Sequence, residues 1–218
     1  MRVHQFLLFA TFVGCRSAHR GVDTTATRPR TDGPIALHSG ANRFELLGDD
    51  SPAQAFVAYR GSFNAHGYHT VAIYLWSPSD ADTTKQWLIV PRFGGPFDGE
   101  TGRDIFATSE GADCTQGDLR VVQHRQAPAD IIVARRDLGA SFADSATTYF
   151  DLYRLKKNKD GVPGWPLWYF AFVRSDTARR AYCDVNIAFE QELHLGRRGL
   201  ASSEASASGF ATRQPNDR

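Results

Sequence analysis

Seven strand-length apolar runs, each closed off by Gly, Pro, Asp, Asn or Ser, set the terms for any fold this chain adopts. They are AFVAYR (55–60), TVAIYLW (70–76), WLIVP (87–91), LRVVQH (119–124), DIIVARR (130–136), ATTYFDLYRL (146–155) and LWYFAFVR (167–174). Short turns between them predict a mainly β (α+β) fold: an antiparallel sheet of about seven strands. In the sixth run, Thr148, Phe150, Leu152 and Arg154 fall on one face, and Thr147, Tyr149, Asp151, Tyr153 and Leu155 on the other. Neither face is purely polar, so this strand is expected to be covered, at least in part, on both sides.

The period changes near the end. In DVNIAFEQELHLG (184–196), Val185, Ala188, Phe189 and Leu193 recur at helical spacing, with Asp184 as N-cap and Gly196 as terminator. One C-terminal helix is expected, laid over a face of the sheet.

The first residues read as an address. Arg2 precedes an apolar stretch over 6–13, too short to span a bilayer, which is the plan of an export signal. Phe12-Val13-Gly14-Cys15 resembles the bacterial lipobox, in which the Cys becomes the lipidated first residue; Phe12 and Val13 depart from its commonest residues. The expectation is a signal peptide over 1–14, lipidation at Cys15 and a periplasmic protein anchored by lipid to the outer membrane. An ordinary secretory signal with an incidental Cys gives the same compartment. Residues 15–36 are rich in Thr, Arg, Gly and Pro and read as a flexible tether; 197–218, built of Ala, Ser, Gly and charged residues, read as a disordered tail. The folded domain is expected over 37–196.

With Cys15 assigned to lipid, Cys114 and Cys183 remain as a pair in an oxidising compartment, and a disulfide is the economical expectation. A metal or catalytic thiol would need partners at short spacing, and none flank either Cys. With 25 basic residues against 24 acidic ones, the chain has no long-range field to draw in a polyanion, so nucleic acid is not expected as a partner. The sequence leaves the oligomeric state open.

Motifs for hydrolysis are missing. GASFA (139–143) lacks the final glycine of a nucleophile elbow; S-x-x-K, H-E-x-x-H and H-x-H-x-D do not occur. His66 and His69 form an H-x-x-H pair, but no third ligand stands at a recognisable spacing, and no metal or cofactor is expected. Asp49, Asp50 and NKDG (158–161) do not fill a calcium-loop pattern, and LKKNKDGVPG reads as a hairpin turn.

RGSFNAHGYH (60–69) differs in kind. Phe63 and Tyr68 can anchor the ends of a turn that Gly61 and Gly67 let bend sharply, leaving Arg60, Asn64 and His66 to project polar groups. Such a set can take a carboxylate and a carbonyl. Equally, Asn64 and His66 can satisfy the backbone of their own turn.

AYRGSFNAHGYHTVAIYLW resembles the R-x-x-F-N-A-H-G-[FY] signature of the CarG-like carbapenem self-resistance family. Further blocks keep step: GADCTQGDLRVV, DGVPGWP and AYCDVNIAFEQELHLG, so the resemblance covers 37–196. Of the family's aspartate-rich segment ahead of this strand, only Gly48-Asp49-Asp50 is in place. The resemblance implies an exported, β-rich, non-enzymatic protein that protects against a β-lactam without hydrolysing it, by binding drug or shielding its target. On that implication, Arg60 pairs with the drug carboxylate, Asn64 and His66 bond its carbonyls, and Tyr68 and Trp165 cover its apolar face. Two alternatives stand beside it: a cell-envelope module that binds another protein, and a hydrolase with unfamiliar machinery around His66 or Asp113.

Overall fold

Strict alternation of inward and outward side chains along one long strand organises half of the molecule. The computed structural model describes residues 32–48, 51–61, 67–78, 84–99, 101–111, 113–196 and 200. In chain order the elements are β1 (Gly33–Pro34), β2 (Gly40–Glu45), β3 (Pro52–Arg60), β4 (Tyr68–Pro78), β5 (Lys85–Ile89), β6 (Arg92–Phe93), β7 (Ile105–Ala107), β8 (Ser109–Glu110), β9 (Thr115–Gln123), β10 (Asp130–Arg136), β11 (Thr148–Lys157), β12 (Trp168–Thr177) and α1 (Val185–Leu193). In β4, His69, Val71, Ile73, Leu75 and Ser77 point inward and are buried, while the residues between them face out.

Two sheets result. The smaller runs β2-β3-β4-β5, with β7 also paired to β4; the larger runs β1-β9-β10-β11-β12-β6, with β8 on β9. Pairing is antiparallel except for the short parallel contact of β6 with β12. The expected runs all appear as strands, divided between two sheets rather than gathered in one. Val57, Val71, Ile73 and Leu75 from the smaller sheet meet Val121, Ile131, Tyr153 and Phe170 from the larger, forming the main core. On the far face of the larger sheet, Ala134 and Phe150 pack with Val185, Ala188 and Phe189 of α1. The larger sheet is thus sandwiched, which is why β11 carries apolar residues on both faces.

Asp184 caps α1 as expected, its Oδ1 accepting the Asn186 N–H at 2.8 Å. The expected terminator was Gly196, but the helix ends earlier. His194 takes the left-handed conformation (φ 56°), and the Leu195 N–H reaches back to Phe189 O at 3.1 Å, closing the last turn. The Cys114–Cys183 disulfide is formed, with Cα atoms 5.6 Å apart, and joins the start of β9 to the start of the helix.

A buried ion pair fastens the helix from below. Arg120 Nη1 lies 3.3 Å from Asp118 Oδ2, and Nη2 donates to Asn186 Oδ1 at 2.7 Å and Gly196 O at 3.3 Å. The guanidinium sits 4.2 Å from the Phe189 ring centroid. Burial pushes the Asp118 carboxyl above its ordinary range and the Arg120 guanidinium below its own, with their mutual attraction opposing both shifts.

Both ends of the domain reach past their expected limits. Gly33 and Pro34, within the stretch expected as a tether, pair with Gln123 and Val122 of β9. Proline has no N–H to waste there, because β1 lies at a sheet edge. Leu200, within the expected tail, is 3% exposed and packs into the main core. The NKDG turn joins β11 to β12 as anticipated, with Gly161 at φ 59° and Asn158 Oδ1 accepting the Val162 N–H at 3.0 Å.

Candidate functional site

In sequence, the FNAHG motif falls between β3 and β4, which pair as an antiparallel hairpin. Registration is Arg60 opposite Tyr68 and Tyr59 opposite His69, so the two inner strands deliver both flanks of the motif to one end of the smaller sheet. Ser62, Phe63, Asn64, Ala65 and His66 lie outside the described residues. Arg60 Nη1 donates to Tyr68 Oη at 2.5 Å, and its guanidinium carbon is 5.4 Å from the Tyr68 ring centroid. Arg60 is exposed, and one bond leaves most of its five donors for other partners.

His69 is turned the other way. It is 2% exposed, with Nδ1 3.0 Å from Glu110 Oε1 and the Tyr59 ring 5.0 Å away. Its backbone N–H donates to Thr108 Oγ1 at 2.7 Å, and its carbonyl accepts the Thr108 N–H at 2.9 Å. The Glu110 N–H donates in turn to Gly67 O at 3.2 Å. Residues 108–110 therefore staple the exit of the hairpin. Gly67 is buried under Tyr59, whose hydroxyl a Cβ at that position would strike. Of the H-x-x-H pair, then, the described member is committed to a carboxylate in the wall of the fold. Among the described residues, no three His, Cys, Asp or Glu side chains converge as a metal site.

Trp165 lies in the connection between β11 and β12. It stacks on Phe93 at 4.8 Å and meets Tyr169 edge-on at 5.1 Å, in the segment leading into β12. The first residue of β12, Trp168, donates its indole N–H to Ser77 Oγ at 3.4 Å, at the opposite end of β4 from Tyr68. The structure brings Arg60 and Tyr68 together and places Trp165 in the connection between two strands of the larger sheet.

The incomplete elbow GASFA has a structural explanation. Arg136 sends its guanidinium under the loop to the carbonyls of Asp137 (3.0 Å), Asp144 (2.9 Å) and Phe142, while Asp144 Oδ2 accepts the Ser141 N–H at 2.7 Å. Ser141 Oγ accepts the Ala143 N–H at 3.3 Å, a turn contact.

Among the described residues, two facing sheets, one helix on the outer face of the larger and the β3–β4 hairpin at the centre of the smaller make up the arrangement. A solved structure described as the crystal structure of CarG superposes on it with a TM-score of 0.58. The fold resembles that of CarG. The superposition covers 94% of CarG and 72% of this chain at 20% sequence identity, a level at which the likeness concerns the fold. No family model matches the sequence, and no curated protein matches it significantly.

A cleft that the sequence did not announce lies on the same small sheet. It has a volume of about 310 Å³ and is lined by Arg43, Phe44, Pro52, Ala53, Trp76 and Trp87. Trp76 and Trp87 stood out as members of apolar runs, where core was the simplest role, and Arg43 belonged to no run. The only sequence signal was position: Trp76 falls on the outward parity of β4, set by its buried neighbours Leu75 and Ser77.

Proposed function

We propose that this chain is an exported, membrane-tethered, non-enzymatic protein of β-lactam self-resistance, which protects by binding the drug or shielding its target. The observation that carries this reading is the shared fold, extending over 94% of CarG. The FNAHG, DGVPGWP and YCDVN blocks support it: FNAHG falls in sequence between β3 and β4, DGVPGWP at the β11–β12 turn and YCDVN at the disulfide and helix cap.

In this reading Arg60 is the anchor for a drug carboxylate. Its guanidinium is exposed and steadied by Tyr68, so little side-chain freedom remains to be lost on pairing. Asn64 and His66, in the same turn, take the carbonyls. Tyr68 and Trp165, the latter stacked on Phe93, cover the drug's apolar face.

Calorimetric titration of a carbapenem into the purified protein tests the reading. Saturable heat, unchanged β-lactam absorbance and weaker binding by Arg60→Ala are expected. Absence of binding at millimolar drug, together with no protection of a susceptible host, overturns it; steady loss of absorbance would make the protein a hydrolase instead. The tether is tested separately by palmitate labelling in a bacterial host, which should disappear in Cys15→Ser.

A further inference from the structure

The cleft between β2, β3, β4 and β5 has the composition of a ligand site and lies at the end of β3 and β4 opposite Arg60 and Tyr68. Trp76 and Trp87 are direct partners across the β4–β5 ladder, with ring centroids 5.4 Å apart and planes tilted by 56°. Trp87 is 44% exposed. The exposed indole of Trp87 beside half-buried Trp76 leaves apolar area open to water, which a flat apolar ligand would cover. Phe44 and Pro52, brought beside β4 by the β2–β3 pairing of Phe44 with Ala53 and Glu45 with Pro52, complete the lining.

One charge enters this lining. Arg43 is exposed, and among the described residues no carboxylate pairs with it. A guanidinium at the rim of an aromatic cleft is matched by a carboxylate, which it can take through two parallel N–H bonds while the indoles hold the attached apolar body. A volume near 310 Å³ stands at the small end of ligand pockets and suits a molecule of one or two rings. Other apolar residues on this outer face, such as Phe56 and Ile105, do not line the cleft, so the wall, the aromatic pair and the cation coincide at one place.

We infer that the Arg43–Trp76–Trp87 cleft binds a small cyclic or aromatic molecule bearing a carboxylate. This assignment does not rest on the resistance reading, whose anchor is Arg60.

The matched probes 1-naphthaleneacetate and its uncharged amide test it, read by the indole N–H signals of the ¹⁵N-labelled protein. The chain has four Trp, so Trp→Phe substitutions assign every signal. Naphthaleneacetate should shift the Trp76 and Trp87 signals saturably, leaving those of Trp165 and Trp168 in place. Arg43→Gln should weaken the acid about tenfold, the scale of one charge-assisted bond, and leave the amide unaffected. Arg43 is exposed, so this variant tests recognition rather than folding. Equal binding of acid and amide, indifference to Arg43→Gln, or no saturable shift at millimolar probe would each overturn the assignment.

Discussion

His69 Nδ1 lies 3.0 Å from Glu110 Oε1, in a side chain only 2% exposed. This contact joins β4 to β8 across the two sheets and holds the exit of the FNAHG hairpin against residues 108–110. Glu110→Gln keeps the shape and removes the charge, so a loss of about 1 kcal/mol is expected in urea denaturation. His69→Ala also leaves a cavity and should cost about 2 to 4 kcal/mol.

Arg120→Met strands the Asp118 carboxylate beneath α1, where no water can reach it. A loss of about 3 to 5 kcal/mol is expected, and the double substitution with Asp118→Leu should recover part of it. Denaturation of the singles and the double closes the cycle.

Asp118 also predicts a pH dependence. Its native pKa is raised by burial, so the native state binds its proton more tightly than the unfolded chain. The stability it contributes is present at low pH and is lost as pH rises from the ordinary aspartate range through the raised native value. Relative to Asp118→Asn, the wild-type protein should lose stability over that window, as followed by urea midpoints at stepped pH.

Gly95 has no room for a side chain. A Cβ there would strike the Tyr153 hydroxyl and come within 2.7 Å of Asp98 Oδ2. Tyr153 is buried and cannot swing away, so Gly95→Ala should cost about 1 to 3 kcal/mol. Tyr153→Phe, which removes the nearest of the struck atoms and leaves the ring carbon Cζ at 2.8 Å, should restore part of the thermal midpoint.

Reducing the Cys114–Cys183 disulfide, or replacing both residues by Ser, frees a loop with a sequence separation of 69 residues. Chain entropy gives a loss of about 4 kcal/mol. A lower urea midpoint, with the helix signal falling alongside the sheet, is the expected outcome.

The strands were legible because each is a short apolar run between turn residues, and DIIVARR matched β10 residue for residue. Their division into two sheets was not, since β4 turns to β7 and β12 to β6 across long stretches of chain that no local pattern records. Short edge strands such as β6 and β8, two residues each, carry no period to detect. At the candidate site, the sequence marked Arg60 and Tyr68 as neighbours of one turn and the structure bonds them. It could not tell that Arg43 and Trp87, 44 positions apart by subtraction, share a cleft.

Leu200 carries a lesson about timing. It fills a place in the core alongside Leu46 and Val57, residues synthesised far earlier. During synthesis from the N-terminus, the smaller sheet is complete in sequence long before the residue that helps seal it emerges. Until then the growing chain holds an apolar surface open, and the nascent protein depends on its surroundings to keep that surface from sticking elsewhere.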